Sequence, residues 1–123
     1  MKFEPEVLKN LLETIESVCD GSKTYSIEGN SSEDREYARQ AHHLKILLDR
    51  NFAEGEAIML LGRGVYPSGF DIYHLTFEGH QLLDSMRSEK LAPRMKKLLA
   101  EVGVEGLKQI PALAIQALLP PSS

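Results

Sequence analysis

Arg35, Arg39 and His43 recur at every fourth position, and Arg50 follows seven residues later. On an α-helix that spacing gathers the four side chains along one side. Guanidinium groups so placed can fork onto phosphate oxygens or onto the edge of guanine, and an imidazole can donate to either. Arg63, held between two glycines in Gly62-Arg63-Gly64, offers a fifth contact. The chemistry of this set is recognition of an anionic surface.

Bond-breaking chemistry has no comparable set. Gly62-Arg63-Gly64 is too short for a phosphate-binding loop and lacks the Gly-Lys-Ser/Thr sequel, and Ser68 lacks a nucleophile elbow. Of the four histidines, His42 and His43 are adjacent and project about 100° apart on a helix, so they do not share one ion. His74 and His80 are separated by a helix cap, and no cysteine or carboxylate cluster completes a tetrahedral shell. No enzyme activity, no cofactor and no metal is expected. A second cationic group, Arg87, Lys90, Arg94, Lys96 and Lys97, is read as an ordinary solvated helix face whose long stems cover apolar neighbours.

The composition constrains what can hold these residues. A chain of 123 residues with 42% hydrophobic and 26% charged residues makes one compact domain. Fourteen Lys and Arg against eighteen Asp and Glu leave a formal charge of −4, so attraction to nucleic acid or anionic lipid must come from a local basic face. The single cysteine, Cys19, can form neither an internal disulfide nor a thiolate metal cage. It falls on an apolar stripe and is expected to be a core thiol. No apolar run reaches the roughly 20 residues of a membrane span, and Met1 to Pro5 lacks a signal-peptide core, which together predict a cytoplasmic protein.

Apolar periodicity places the elements. Phe3, Val7, Leu8, Leu11, Leu12, Ile15 and Cys19 make a first helix that opens at Pro5 and ends at Asp20-Gly21-Ser22. Residues 23–27 alternate as a short strand. A long helix is expected from an N-cap at Ser31 or Ser32 to Arg50, with Tyr37, Ala41, Leu44 and Leu48 packed inward. Arg35, Arg39, His42, His43, Ile46 and Arg50 are then on the open side, and Asn51 supplies a left-handed exit. Strands at residues 56–61 and 70–75 form a hairpin around a glycine-rich connection. Thr76 caps a helix that runs past residues 87–90, Pro93 opens another that Gly103 stops, and Pro111 opens a last one over residues 112–119. Residues 1–119 are one domain and residues 120–123 a flexible tail.

This order, helix, strand, helix, two-stranded hairpin, helix, is that of a winged helix, an α+β scaffold in which a small antiparallel β-hairpin forms the wing, here with additional C-terminal helices. Residues 43–52, His-Leu-Lys-Ile-Leu-Leu-Asp-Arg-Asn-Phe, and residues 75–84, Leu-Thr-Phe-Glu-Gly-His-Gln-Leu-Leu-Asp, resemble the DUF2513 family of small bacterial and phage proteins. The Leu-Thr-Phe-Glu-Gly-His piece is the most specific part, and the end from Gln109 resembles the family's closing proline-initiated helix. Asn51-Phe52 stands where the family often has Gly-Leu. The resemblance implies a winged-helix-like domain of prophage or mobile-element type with no established activity, and for Glu78-Gly79-His80 it implies a structural role in which the glycine permits close approach of a helix to a sheet and the imidazole satisfies buried backbone groups.

Two functions fit. The leading one is double-stranded DNA binding by Arg35, Arg39, His43 and Arg50, with Arg63 on the wing. The other is a protein-interaction module, binding a phage or host protein or a second copy of the chain, through the same helix face or an apolar C-terminal helix bearing Ile115 and Leu119. From Ser31 to Arg50 no glycine or proline separates a supporting helix from a recognition helix, and Ile46, Glu36 and Asp49 interrupt the basic face, as a protein contact would tolerate.

Overall fold

Residues 2–62 and 64–103 are described by a computed structural model of the chain. They form seven elements in the order α1 (Pro5–Val18), β1 (Tyr25–Glu28), α2 (Arg35–Asp49), β2 (Ala53–Ile58), β3 (Gly69–Leu75), α3 (Phe77–Arg87) and α4 (Ala92–Val102). The class is α+β, four helices with one antiparallel sheet of order β1-β3-β2. Arg63, Ile115, Leu119, the expected helix at 112–119 and the tail at 120–123 lie outside the described residues.

α1 carries Leu8, Leu11, Leu12 and Ile15 on one stripe, all buried, with Pro5 in its first turn. Cys19 caps its end through an N–H bond to the Ile15 carbonyl, and its Sγ donates to the Ile72 carbonyl at 3.3 Å. The thiol is partly buried and packs against the core, as its position on the stripe implies.

α2 starts later than the serines suggest. Asn30 Oδ1 accepts both the N–H and the hydroxyl of Ser32, which turns residues 31–33, and Asp34 becomes the N-cap by accepting the Tyr37 N–H at 3.1 Å. The helix ends as expected. Asn51 takes φ 59°, its N–H bonds the Leu48 carbonyl, and Phe52 N–H reaches back to the Leu47 carbonyl at 2.9 Å. This pair of bonds satisfies the last helical carbonyls and drives Phe52 into the core.

That exit also sets the sheet register. With Phe52 buried, Ala53 enters the sheet at once opposite Leu75, so β2 occupies residues 53–58 instead of 56–61. A bulge between Glu54 and Gly55 follows, where a Cβ on Gly55 would overlap the Asp71 carbonyl oxygen. The apolar run that suggested a buried strand therefore overshoots it, and Met59, Leu60 and Leu61 pass into the connection. β1 pairs with β3 from Tyr25↔Ile72 to Glu28↔Gly69, so the ribbon is part of a three-stranded sheet.

Thr76 caps α3 as its sequence context predicts, accepting the Gly79 N–H at 3.1 Å while its hydroxyl donates to the Asn51 carbonyl at 2.6 Å. The helix stops at Arg87, earlier than expected: Ser88 leaves the helical region, and its Oγ accepts the Leu91 N–H at the head of α4. Pro93 sits in the first turn of α4 and Gly103 ends it at φ 61°. Phe70 and Ile72 from β3 meet Leu8, Leu12 and Ile15 from α1, Leu44 and Leu47 from α2, and Leu82 and Leu83 from α3 in one core.

Candidate binding surfaces

Arg35, Arg39, His43 and Arg50 do not form one surface. Arg35 is exposed at the first residue of α2. Arg39 is about half-covered because its guanidinium forks onto Glu4, Nε to Oε2 at 2.5 Å and Nη2 to Oε1 at 2.6 Å, with Glu36 at 3.6 Å. The Arg39 fork holds the Glu4 carboxyl below its ordinary range, and Glu4 raises Arg39 in return. Arg50 is the C-cap of the helix, about 22 Å from Arg35 along the helix axis. Arg35 and Arg39 share an open groove of about 620 Å³ with Lys2, Glu4 and Glu36, so cations and carboxylates alternate around it.

His43 is a correction. It is fully buried, with Nε2 accepting the Glu4 backbone N–H at 2.8 Å and Nδ1 2.7 Å from the Arg39 carbonyl. Both contacts are satisfied only by the neutral ring with its proton on Nδ1. Phe3 stacks on it at 5.7 Å. Ile46, also expected on the open side, is buried too. Apolar spacing gives α2 one packed flank, whereas Phe3 and Glu4, just before α1, cover a second flank and enclose the His43 ring. Burial first, then the Arg39 charge, pushes the His43 ring below its ordinary value, against the opposing pull of the Arg39 carbonyl and the Glu4 carboxylate. His42 is pushed the same way by burial and by His43, and its ring meets the rings of His43 and Tyr66 edge-on.

The role expected of His80 is filled by His43 instead. His80 is half-exposed, 3.6 Å from Glu16, which also holds Arg87 at 3.0 Å. The neighbouring Gly79 does what its place predicts, since a Cβ there would overlap the Phe52 carbonyl oxygen. Ser68 is buried, and its hydroxyl donates to the Ile58 carbonyl at 2.9 Å. Among the described residues no three His, Cys, Asp or Glu side chains could hold a metal ion, and no helix is long and apolar enough to cross a membrane.

A surface that the periodicity concealed spans the end of β2 and the β2–β3 connection. Ile58, Met59, Leu60, Leu61 and Val65 are all exposed, Leu61 completely. The signal was present in the four consecutive large apolar residues before Gly62, but such a run reads equally as a buried strand. The connection is anchored at its base. Tyr66 N–H approaches Ser31 Oγ at 3.4 Å, Tyr37 Oη donates to the Pro67 carbonyl at 2.6 Å, and Gly64, at φ 91°, lies so close to Ser31 that a Cβ would overlap its hydroxyl. The apolar tip thus stands beside the start of α2 on a fixed base.

The outer face of the sheet continues from this tip. Ser26, Asp71 and Glu56 form one cross-strand row and Glu28, Gly69 and Ile58 the next. Ser26 Oγ donates to Asp71 Oδ1 at 2.7 Å, and burial together with Glu56 and Asp71 pushes the exposed Tyr73 phenol up. This face is acidic and apolar, the opposite of what a phosphate backbone requires.

The model of the DUF2513 family, described as a hypothetical protein, matches residues 2–105. No curated protein and no solved structure matches the chain.

Proposed function

We propose, from the premise that this chain belongs to the DUF2513 family, that it is a winged-helix-type binding module whose partner is a protein. The winged-helix reading is supported by the order α1-β1-α2-β2-β3, the sheet order β1-β3-β2 and a β2–β3 connection standing beside the start of α2. The observation that carries the partner class is the exposure of Ile58, Met59, Leu60, Leu61 and Val65 along the end of β2 and the connection that follows it. Four large apolar side chains on one anchored loop, with Ile58 of β2 beside them, exceed the scattered exposure of an ordinary surface and match the apolar centre of an interface.

The test uses the full chain as bait, beside its Leu61→Asp and Val65→Asp variants. The wild type retains a stable protein partner and both variants lose it. Equal retention by the variants would remove the tip from the function.

Arg35, exposed at the head of α2, keeps the DNA reading in second place, with Arg39 and Arg50 as its remaining contacts. That reading requires a shift of duplex DNA at low salt that weakens steeply as salt rises and is lost on Arg35→Ala with Arg39→Ala. Such a shift would displace the protein-partner reading.

A further inference from the structure

Within the protein-partner reading, and resting on it, the outer face of the sheet defines the chemistry of the partner. Gly69 interrupts the cross-strand row between Glu28 and Ile58, so the middle of that row has no side chain. A Cβ placed at Gly69 would meet the Ile27 carbonyl at 3.5 Å and Ile58 Cδ1 at 3.6 Å, ordinary van der Waals distances. Steric exclusion therefore does not explain the glycine. A groove of about 220 Å³ is lined here by the buried Gly69, by the apolar Ile58 and Leu60, and by the carboxylates of Glu28 and Asp71. Ile58 and Leu60 are each about half-exposed and belong both to this groove and to the apolar tip.

Two chemistries meet here at the scale of one side chain. Glu28 and Asp71 are diagonal cross-strand neighbours, roughly 7–8 Å apart at their backbones, close enough for one cation to lie between their carboxylates. Ser26 occupies only Oδ1 of Asp71, and Glu56 stands directly across the strand from it. A long aliphatic stem can lie over Gly69 against Ile58 while its charged head reaches the carboxylates. A phosphate would meet three carboxylates, and a purely apolar side chain would desolvate Glu28 and Asp71 without compensation.

We infer that the Gly69 groove seats an arginine or lysine of the partner, carried on an extended segment whose neighbouring apolar residues cover Leu60 and Leu61. The acidic rim selects the cation and the tip supplies contact area. A second copy of the chain docking strand β2 to strand β2 is disfavoured by the same residues, because a two-fold antiparallel pairing centred on Gly55 would set Glu54 of each copy opposite Glu56 of the other.

The probes are two extended hexapeptides, one alternating arginine and leucine, one alternating glutamine and leucine, titrated into the full chain with backbone amide resonances as the readout. The arginine–leucine peptide shifts the Gly69, Glu28 and Ile58 amides and binds about tenfold more tightly than its neutral counterpart, a difference typical of one desolvated charge pair. Glu28→Gln with Asp71→Asn removes the preference, and Gly69→Leu, which fills the groove while leaving the carboxylates, removes binding. Equal affinity for both peptides would overturn this inference and leave a protein contact at the tip standing. No shift at Gly69 with either peptide, while Leu61→Asp still abolishes partner retention, would also overturn it. Loss of both signals would remove the partner reading with it.

Discussion

The buried imidazole of His43 binds Glu4 through the backbone N–H of that residue, Nε2 to N at 2.8 Å, while Arg39, one turn earlier on the same helix, binds the Glu4 carboxylate. One residue at the head of α1 is thus clasped from two sides by α2. The clasp needs a neutral ring, because a proton on Nε2 would face the Glu4 N–H donor.

Stability should therefore depend on pH near neutrality. The unfolded chain takes up a proton at His43 near pH 6.5, and the folded chain does so only at lower pH because burial opposes it. Between those values the unfolded state binds more protons, so the contribution is complete above about pH 6.5 and is lost as pH falls through the lower, folded value. Denaturant titrations from pH 8 to pH 5 should show declining stability, and His43→Gln should flatten the decline more than the same change at His42. His42 is displaced in the same direction, so a profile unaltered by His43→Gln would assign the effect elsewhere.

Gly79→Ala sets two effects against each other. In an exposed helix interior alanine would gain about 1 kcal/mol over glycine. Here the added methyl overlaps the Phe52 carbonyl oxygen, backbone that is fixed by the exit from α2. The net change is expected to be a loss of about 1–3 kcal/mol by chemical denaturation, the range of overpacked cores. A stabilised variant would mean that α3 does not approach Phe52 so closely.

The Thr76 hydroxyl serves two elements, receiving the Gly79 N–H of α3 and donating to the Asn51 carbonyl that ends α2. Thr76→Ala should cost about 1–2 kcal/mol, and Thr76→Ser should recover most of it, because serine keeps both bonds. Equal losses in the two variants would point to the methyl group as the stabilising part.

Tyr37 links the start of α2 to the base of the apolar tip. Its ring lies 2.6 Å from where a Cβ of Gly29 would be, and its hydroxyl donates to the Pro67 carbonyl at 2.6 Å. Tyr37→Phe should cost about 1 kcal/mol, the net worth of a buried hydrogen bond. Partner retention through Leu61 and Val65 should weaken in parallel as the base of the connection loosens. Amide exchange at residues 66–68 faster in Tyr37→Phe than in the wild type measures that loosening directly.

Leu61→Asp and Val65→Asp should leave stability within about 0.5 kcal/mol of the wild type, since both side chains are in solvent. Denaturation curves displaced beyond that range would show that the tip packs on the domain.

Much of the architecture was legible in the order of residues. The stripe of Leu8, Leu11, Leu12 and Ile15, the left-handed Asn51, the Thr76 cap and the Gly103 stop are local signals, each read from a few neighbours and each found in place. With the strand signals around residues 23–27 and 70–75 they give the α+β class. The binding surfaces were less legible, because exposure depends on which flank a second element covers. His43 has the spacing of a surface residue, yet the segment before α1 closes over it. The run from Ile58 to Leu61 has the composition of a buried strand, yet the tight exit through Phe52 starts β2 three residues early and leaves the run in solvent.

Sequence alone determined the apolar stripe of α1, the left-handed exit at Asn51, the Thr76 cap and the membership of the chain in its family, because capping, turn formation and apolar periodicity act over a few residues at a time. Only the tertiary structure decided that Glu4 occupies Arg39, that His43 is neutral and enclosed, and that Gly69 lines a groove with the carboxylates of Glu28 and Asp71. Those outcomes come from residues distant along the chain, brought together by packing against one core, and no local pattern encodes which of two flanks that packing will close.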